Sequence, residues 1–201
     1  SQHNAVIAML ATLVMVLLAR PLKQLIQDGL DRAFYRDRYD YRRALIGFAR
    51  DLSADLDLDR LSQRLVTRVT ETLVVDRMAL LLMDESAGQF RCIRSHGFVG
   101  TPPPLDRHSP IGQRIAAGHS VTLDDPSSQR RFETADVDYW RDQGIHYFIP
   151  CVLKQSAIAV LALGEKERHE PLSSEDMALL VAVAAQVATA IENGRLYQAL
   201  K

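Results

Sequence analysis

Met78-Ala-Leu-Leu-Leu-Met83, Asp84-Glu-Ser-Ala-Gly-Gln89 and Phe90-Arg-Cys-Ile-Arg-Ser-His96 decide the fold. The first run is apolar throughout and bounded by charges, which predicts a central strand buried on both faces. The second is turn chemistry, and the third makes the return strand of a hairpin. Downstream, Gly97 to Ser109 contains three consecutive prolines, Pro102 to Pro104, and reads as loop. A short helix is expected over Ile111–Ala117, a short strand over Ser120–Leu123 and a further helix over Ala135–Gln143. A second hairpin follows, Tyr147–Leu153 with Ala157–Leu163, turning over Lys154 to Ser156. Pro150 has no N–H to give a ladder, so its strand should carry a bulge or a free edge there.

Helices bracket these strands. Ser173 and Asp176 form a capping box that starts a helix near Ser174. Leu180, Val183, Ala184, Val187, Ala188 and Ile191 then recur at three- and four-residue spacing, marking one buried face. No breaker ends it before Lys201. A helix of about 27 residues is about 40 Å long, so it is expected to extend past its domain towards a separate output domain. Upstream, Asp57 caps a helix whose core stripe is Leu58, Leu61, Leu65, Val66, Val69 and Leu73. Residues 21–56 read as amphipathic connector helices, with five arginines and three aspartates interleaved with aromatics between Asp31 and Arg43. Together these elements predict an α+β fold: an antiparallel sheet flanked by helices, with long helices at both ends. The expected division is an apolar or transmembrane helix end over 1–20, the connector over 21–56, a folded core over 57–172 and the last helix over 173–201.

Ala5 to Ala19 is an apolar run broken only by Thr12 and followed by Arg20 and Lys23. It falls short of the roughly 20 residues of a span, yet its basic flank suits the end of a membrane helix on the cytoplasmic side. The competing reading is a buried helix in a dimer interface. A formal net charge of −1 over 201 residues gives no electrostatic footprint for nucleic acid. Two cysteines, Cys92 and Cys151, make no disulfide framework.

Five phrases stand in order along the chain: Arg77-Met-Ala-Leu-Leu-Leu-Met-Asp84, Pro110-Ile-Gly-Gln-Arg-Ile-Ala116, Leu123-Asp-Asp-Pro126 with Arg131-Phe132, Phe148 to Leu153 with Val160 to Gly164, and Gln186 to Asn193. Together they resemble a GAF domain over roughly Leu58 to Ile191. Residues 34–43 resemble the connector between membrane and GAF domain in bacterial sensor proteins. The resemblance implies a sensory or regulatory module on the cytoplasmic side of the inner membrane, in a two-component sensor histidine kinase. Alternatives are a ligand-free dimerisation relay, or a sensor for a serine/threonine phosphatase or diguanylate cyclase. The partners expected are a second copy, a small-molecule effector and, through residues 5–19, the membrane. Nucleic acid is not expected, and the chemistry points to no particular cofactor.

The resemblance places a ligand site between the second strand and the Tyr147 hairpin. Its expected lining is Phe98, Ile111, Ile115, Phe132, Tyr139, Trp140, His146 and Phe148, an apolar and aromatic set suited to an uncharged effector, or equally a plain core. The signature of nucleotide-binding GAF domains is incomplete, because Val137 follows Asp136 where Glu is expected. A dimer seam is expected at Leu45, Phe48, Leu52, Val187 and Ile191, on helix stripes that one core does not cover. The six histidines lack metal-ligand spacing, no Gly-rich phosphate loop is present, and the fragment itself is expected to be non-catalytic and metal-free.

Overall fold

The computed structural model describes residues 40–55, 57–125, 132 and 135–200. The expected membrane run 5–19 and the connector before residue 40 lie outside them. The chain divides into two units after Arg43; of the first, only residues 40–43 are described, and they are helical. In the second unit, residues 44–51 are helical (α1) and pass into a 3-10 turn, Leu52–Ala54. The Asp57 side chain accepts hydrogen bonds from the N–H groups of Asp59 and Arg60, and α2 (Leu58–Leu73) begins there. Its stripe faces inward as expected, with Leu61, Leu65, Val66, Val69 and Leu73 buried.

Six strands form one antiparallel sheet in the order β3-β2-β1-β6-β5-β4. They are β1 (Met78–Asp84), β2 (Gln89–His96), β3 (Leu105–Asp106), β4 (Val121–Thr122), β5 (Ile145–Leu153) and β6 (Ser156–Gly164). The two hairpins lie as expected, each strand of the second a little longer than read. The β5–β6 turn places Lys154 and Gln155 at φ of 49° and 71°, the geometry of a tight hairpin turn. β3 was not expected. Leu105 follows the prolines and pairs with Phe90, so the proline segment ends in an edge strand. Pro150 lies beyond the reach of β4, and the β5–β6 register shifts between Cys151 and Val152. The missing donor therefore sits beside both features that accommodate it.

β1 and β6 have no wet face. Ala79, Leu81, Met83, Val160 and Ala162 join a buried cluster with Ile111 and Ile115 of α3 (Pro110–Ala116) and Trp140 of α4 (Ala135–Asp142). The alternate residues Met78, Leu80, Leu161 and Leu163 are equally buried and face the opposite way. There α5 (Ser174–Ala199) packs on β5 and β6, and α2 on β1 and β2. The expected capping box is present in full: the Ser173 hydroxyl accepts from Asp176 N–H and the Asp176 carboxylate from Ser173 N–H. At the other end, Arg195 donates to the Met83 carbonyl at 2.7 Å and pins the helix to the end of β1.

Among the described residues α5 alone has the length and composition to cross a membrane, yet half of its most apolar window is buried in the domain. It is a core helix. The same packing covers most of the expected dimer-seam residues. Leu45, Leu52, Val187 and Ile191 are each 0% exposed within the single chain, because the final helix and the Leu52 turn cover one another. Only Phe48 of that set is partly exposed, under the guanidinium groups of Arg64 and Arg68.

Two stability predictions follow from the caps. Val74 ends α2 in the left-handed region (φ 54°, ψ 51°) and the residue is 46% exposed, so it bears the strain of a β-branched residue with only partial packing in return. Val74→Gly should stabilise the domain by about 1 kcal/mol in urea unfolding. Asp176 is nearly sealed from solvent: burial raises its pKa, but hydrogen bonds from Lys166 (2.6 Å) and Ser173 outweigh this and hold it below the ordinary value. A carboxyl with a depressed folded pKa contributes stability above its unfolded pKa and loses it as pH falls through the folded one. Asp176→Asn should cost about 2 kcal/mol near neutral pH, and the difference from wild type should shrink below about pH 4.

Candidate functional site

The face of the sheet away from α5 carries the expected effector-site residues. Trp140, on α4, is 1% exposed and stands at the centre of an aromatic group. Its ring meets those of Phe98 (6.2 Å), Tyr139 (5.4 Å) and Phe148 (5.4 Å), all close to perpendicular, the edge-to-face arrangement favoured by ring quadrupoles. Ile111, Ile115 and Phe132 are buried in the same cluster, with Phe98 and Tyr139 packed against it. Seven of the eight residues are thus brought together in one cluster. Burial raises the Tyr139 pKa, as an aromatic surround with little water requires.

His146 stands apart from this group. It lies in a polar cleft of about 190 Å³ lined by Asp76, Arg77, Arg141, Asp142, Gly144, His146, Gly164, Glu165 and His169. The cleft is built at one end of the central strands. Leu123 N–H donates to the His146 carbonyl at 2.8 Å, continuing β4–β5 pairing by one step and setting Asp124 beside the imidazole. His146 Nδ1 and the Asp124 carboxylate are in direct contact. Glu165 leaves the end of β6, where Gly164 N–H donates to the Arg77 carbonyl at 2.9 Å. The Arg77 side chain in turn donates to the Gln143 carbonyl, and Arg141 pairs with Asp138 at 3.6 Å. Asp124, His146 and Glu165 each offer one ligand atom, all within 4.8 Å of one another. Sequence reasoning missed this group because its members are separated by about twenty residues and meet only through strand pairing.

Two further residues tie the site to the final helix. Tyr147, next to His146 and Phe148, accepts a hydrogen bond at its hydroxyl from Leu172 N–H at 3.1 Å, one residue before the Ser173 cap. Desolvation raises the Tyr147 pKa, so the phenol stays protonated near neutral pH. The thiols are poor nucleophiles: burial alone pushes Cys151 far above its ordinary value, and burial outweighs the hydrogen bonds at Cys92.

The family model described as GAF domain matches residues 57–193. No curated protein matches the chain in sequence. Among solved structures, the GAF domain of an Acinetobacter phosphoenolpyruvate-protein phosphotransferase is similar at 18% identity and a TM-score of 0.59, over 79% of this chain and 95% of that one. The GAF domain of a putative sensor histidine kinase from Pseudomonas syringae pv. tomato is similar at 16% identity and 0.55, over 83% and 99%. A free methionine-R-sulfoxide reductase from Neisseria meningitidis, solved with its substrate, is similar at 16% and 0.59, over 78% and 91%.

The cleft depends on a close approach. A Cβ on Gly164 would lie 2.8 Å from the Gly144 carbonyl oxygen, and Gly144 itself has a φ of 70°. Gly164→Ala should destabilise the domain by about 1–3 kcal/mol in urea unfolding, since backbone on both sides must move.

Proposed function

The chain belongs to the GAF domain family, and we propose that it is the sensory module of a bacterial signalling protein, of sensor histidine kinase type, on the cytoplasmic side of the membrane. An uncharged or aromatic small molecule is the effector, and it acts at the Trp140 group. The observation that carries this reading is the position of β5. Phe148 touches Trp140 on one face of the strand, while Ile149 and Cys151 are buried outside that cluster, and α5 packs against the same strand. Tyr147 adds a direct link from the site to the N-terminus of α5 through Leu172.

An effector that enters the aromatic group has to move Trp140 or Phe148, because both rings are buried and packed edge to face. Movement of Phe148 displaces β5, and packed interiors transmit such displacement instead of absorbing it. α5 then carries the change along its length of about 39 Å towards an output domain. The fragment is a regulator without its own catalysis. Support for that lies in the raised pKa of both thiols, which withholds the nucleophile that a thiol-dependent reaction would need.

Trp140 is the only tryptophan, so its emission reports on this site alone. Screening neutral aromatic compounds should yield a saturable change in that emission, with slowed or accelerated amide exchange over residues 172–177 in the wild type. In Tyr147→Phe the emission change should persist and the exchange change should fall by at least half. Ligand-induced emission changes that leave 172–177 untouched in the wild type would refute the relay. A library that never perturbs Trp140 would favour a ligand-free dimerisation relay.

A further inference from the structure

The polar cleft holds metal-ligating side chains that the aromatic group does not use. Asp124 follows β4, His146 sits within β5 and Glu165 follows β6, and one ligand atom from each lies within 4.8 Å of the other two. The placement is fixed by backbone. Leu123 N–H holds the Asp124 end onto β5, and Ile145 is opposite Gly164 in the β5–β6 register. Contact between His146 and Asp124 satisfies those two groups as a pair. It does not account for a second carboxylate at the same point. Two carboxylates brought this close repel one another, unless a cation lies between them.

The surroundings favour positive charge. Around the cleft, Asp76, Asp124, Asp142 and Glu165 stand against Arg77 and Arg141. Arg141 is paired with Asp138 and the Leu123 carbonyl, whereas Arg77 is held by the uncharged Gln143 carbonyl and keeps its charge, so the four carboxylates outnumber the two guanidinium groups. His169 Nδ1 lies 3.7 Å from the Glu165 carboxylate on an exposed side chain, too far for a hydrogen bond.

We infer that Asp124, His146 and Glu165 bind one divalent first-row transition-metal ion, independently of any effector at Trp140. An imidazole among the donors suits zinc and its neighbours better than calcium or magnesium. Three protein ligands leave a coordination position open to water, and a cleft of about 190 Å³ has room for it.

The test uses the full chain, stripped with chelator, and Zn2+ alone. Equilibrium dialysis with metal analysis should give one equivalent per chain, and Zn2+ should raise the melting temperature. His146→Ala and Glu165→Gln should each weaken binding at least about tenfold and abolish the thermal shift. His119→Ala, an exposed histidine elsewhere, should change neither. Asp124→Asn preserves side-chain size and serves if His146→Ala is misfolded by circular dichroism. The inference fails if Zn2+ is not taken up stoichiometrically. It fails equally if uptake survives Glu165→Gln and Asp124→Asn, which would place the bound ion elsewhere.

Discussion

The structure depends on two strands that cannot face water on either side. Antiparallel sheets often keep one face solvated, but β1 and β6 are apolar at nearly every position and occupy the centre of the sheet. Apolar area left in water costs about 25 cal/mol per Å², so both faces must be covered. α2 and α5 cover one. The other falls to short elements, α3, α4 and the Phe98 loop, because the described residues between β2 and β5 hold no long apolar helix. That asymmetry, long helices on one face and an aromatic patchwork on the other, makes the second face the one where binding can be bought cheaply.

β5 is the member common to both faces. It pairs with β6, holds β4 at its outer edge, touches Trp140 through Phe148 and packs against α5. Its residues 145–148 also bring together the polar cleft, the phenol that meets Leu172 and the aromatic group. A perturbation at any of the three acts on the same four residues. Coupling requires no extended pathway, only that this strand end hold two arrangements.

The elements carrying periodic or capped sequence were legible in advance. Ser173 with Asp176 and Asp57 announced helix starts that are present to the residue, and Met78–Met83 announced the doubly buried strand. β3 was hidden because it is two residues long and follows prolines, too short for any alternation to register. The expected dimer-seam residues show a different limit: periodicity shows that Val187 and Ile191 face something apolar, and not whether that partner is the same chain. The aromatic group could be gathered from the resemblance, since its members share one stretch of chain. Asp124, His146 and Glu165 could not. Their proximity is a product of register, in which Leu123 reaches the His146 carbonyl and Ile145 meets Gly164, and register is a tertiary fact.

The cleft and the helix cap are also joined through the chain itself. Glu165 is followed by Lys166, whose ammonium meets Asp176 at 2.6 Å, and Asp176 closes the capping box with Ser173. Lys166 is at the same time clamped by backbone: its N–H donates to the Glu170 carbonyl, and it bridges to Val75. A displacement of Glu165 therefore cannot be absorbed by a loose loop, because the next residue is held on three sides. It is passed to the ion pair at the first turn of α5, where a cap of this kind contributes about 1–2 kcal/mol to the helix end. Charge in the cleft and order at the start of α5 are thereby set one residue apart, which places the cleft nearer to the proposed output path than the aromatic group is.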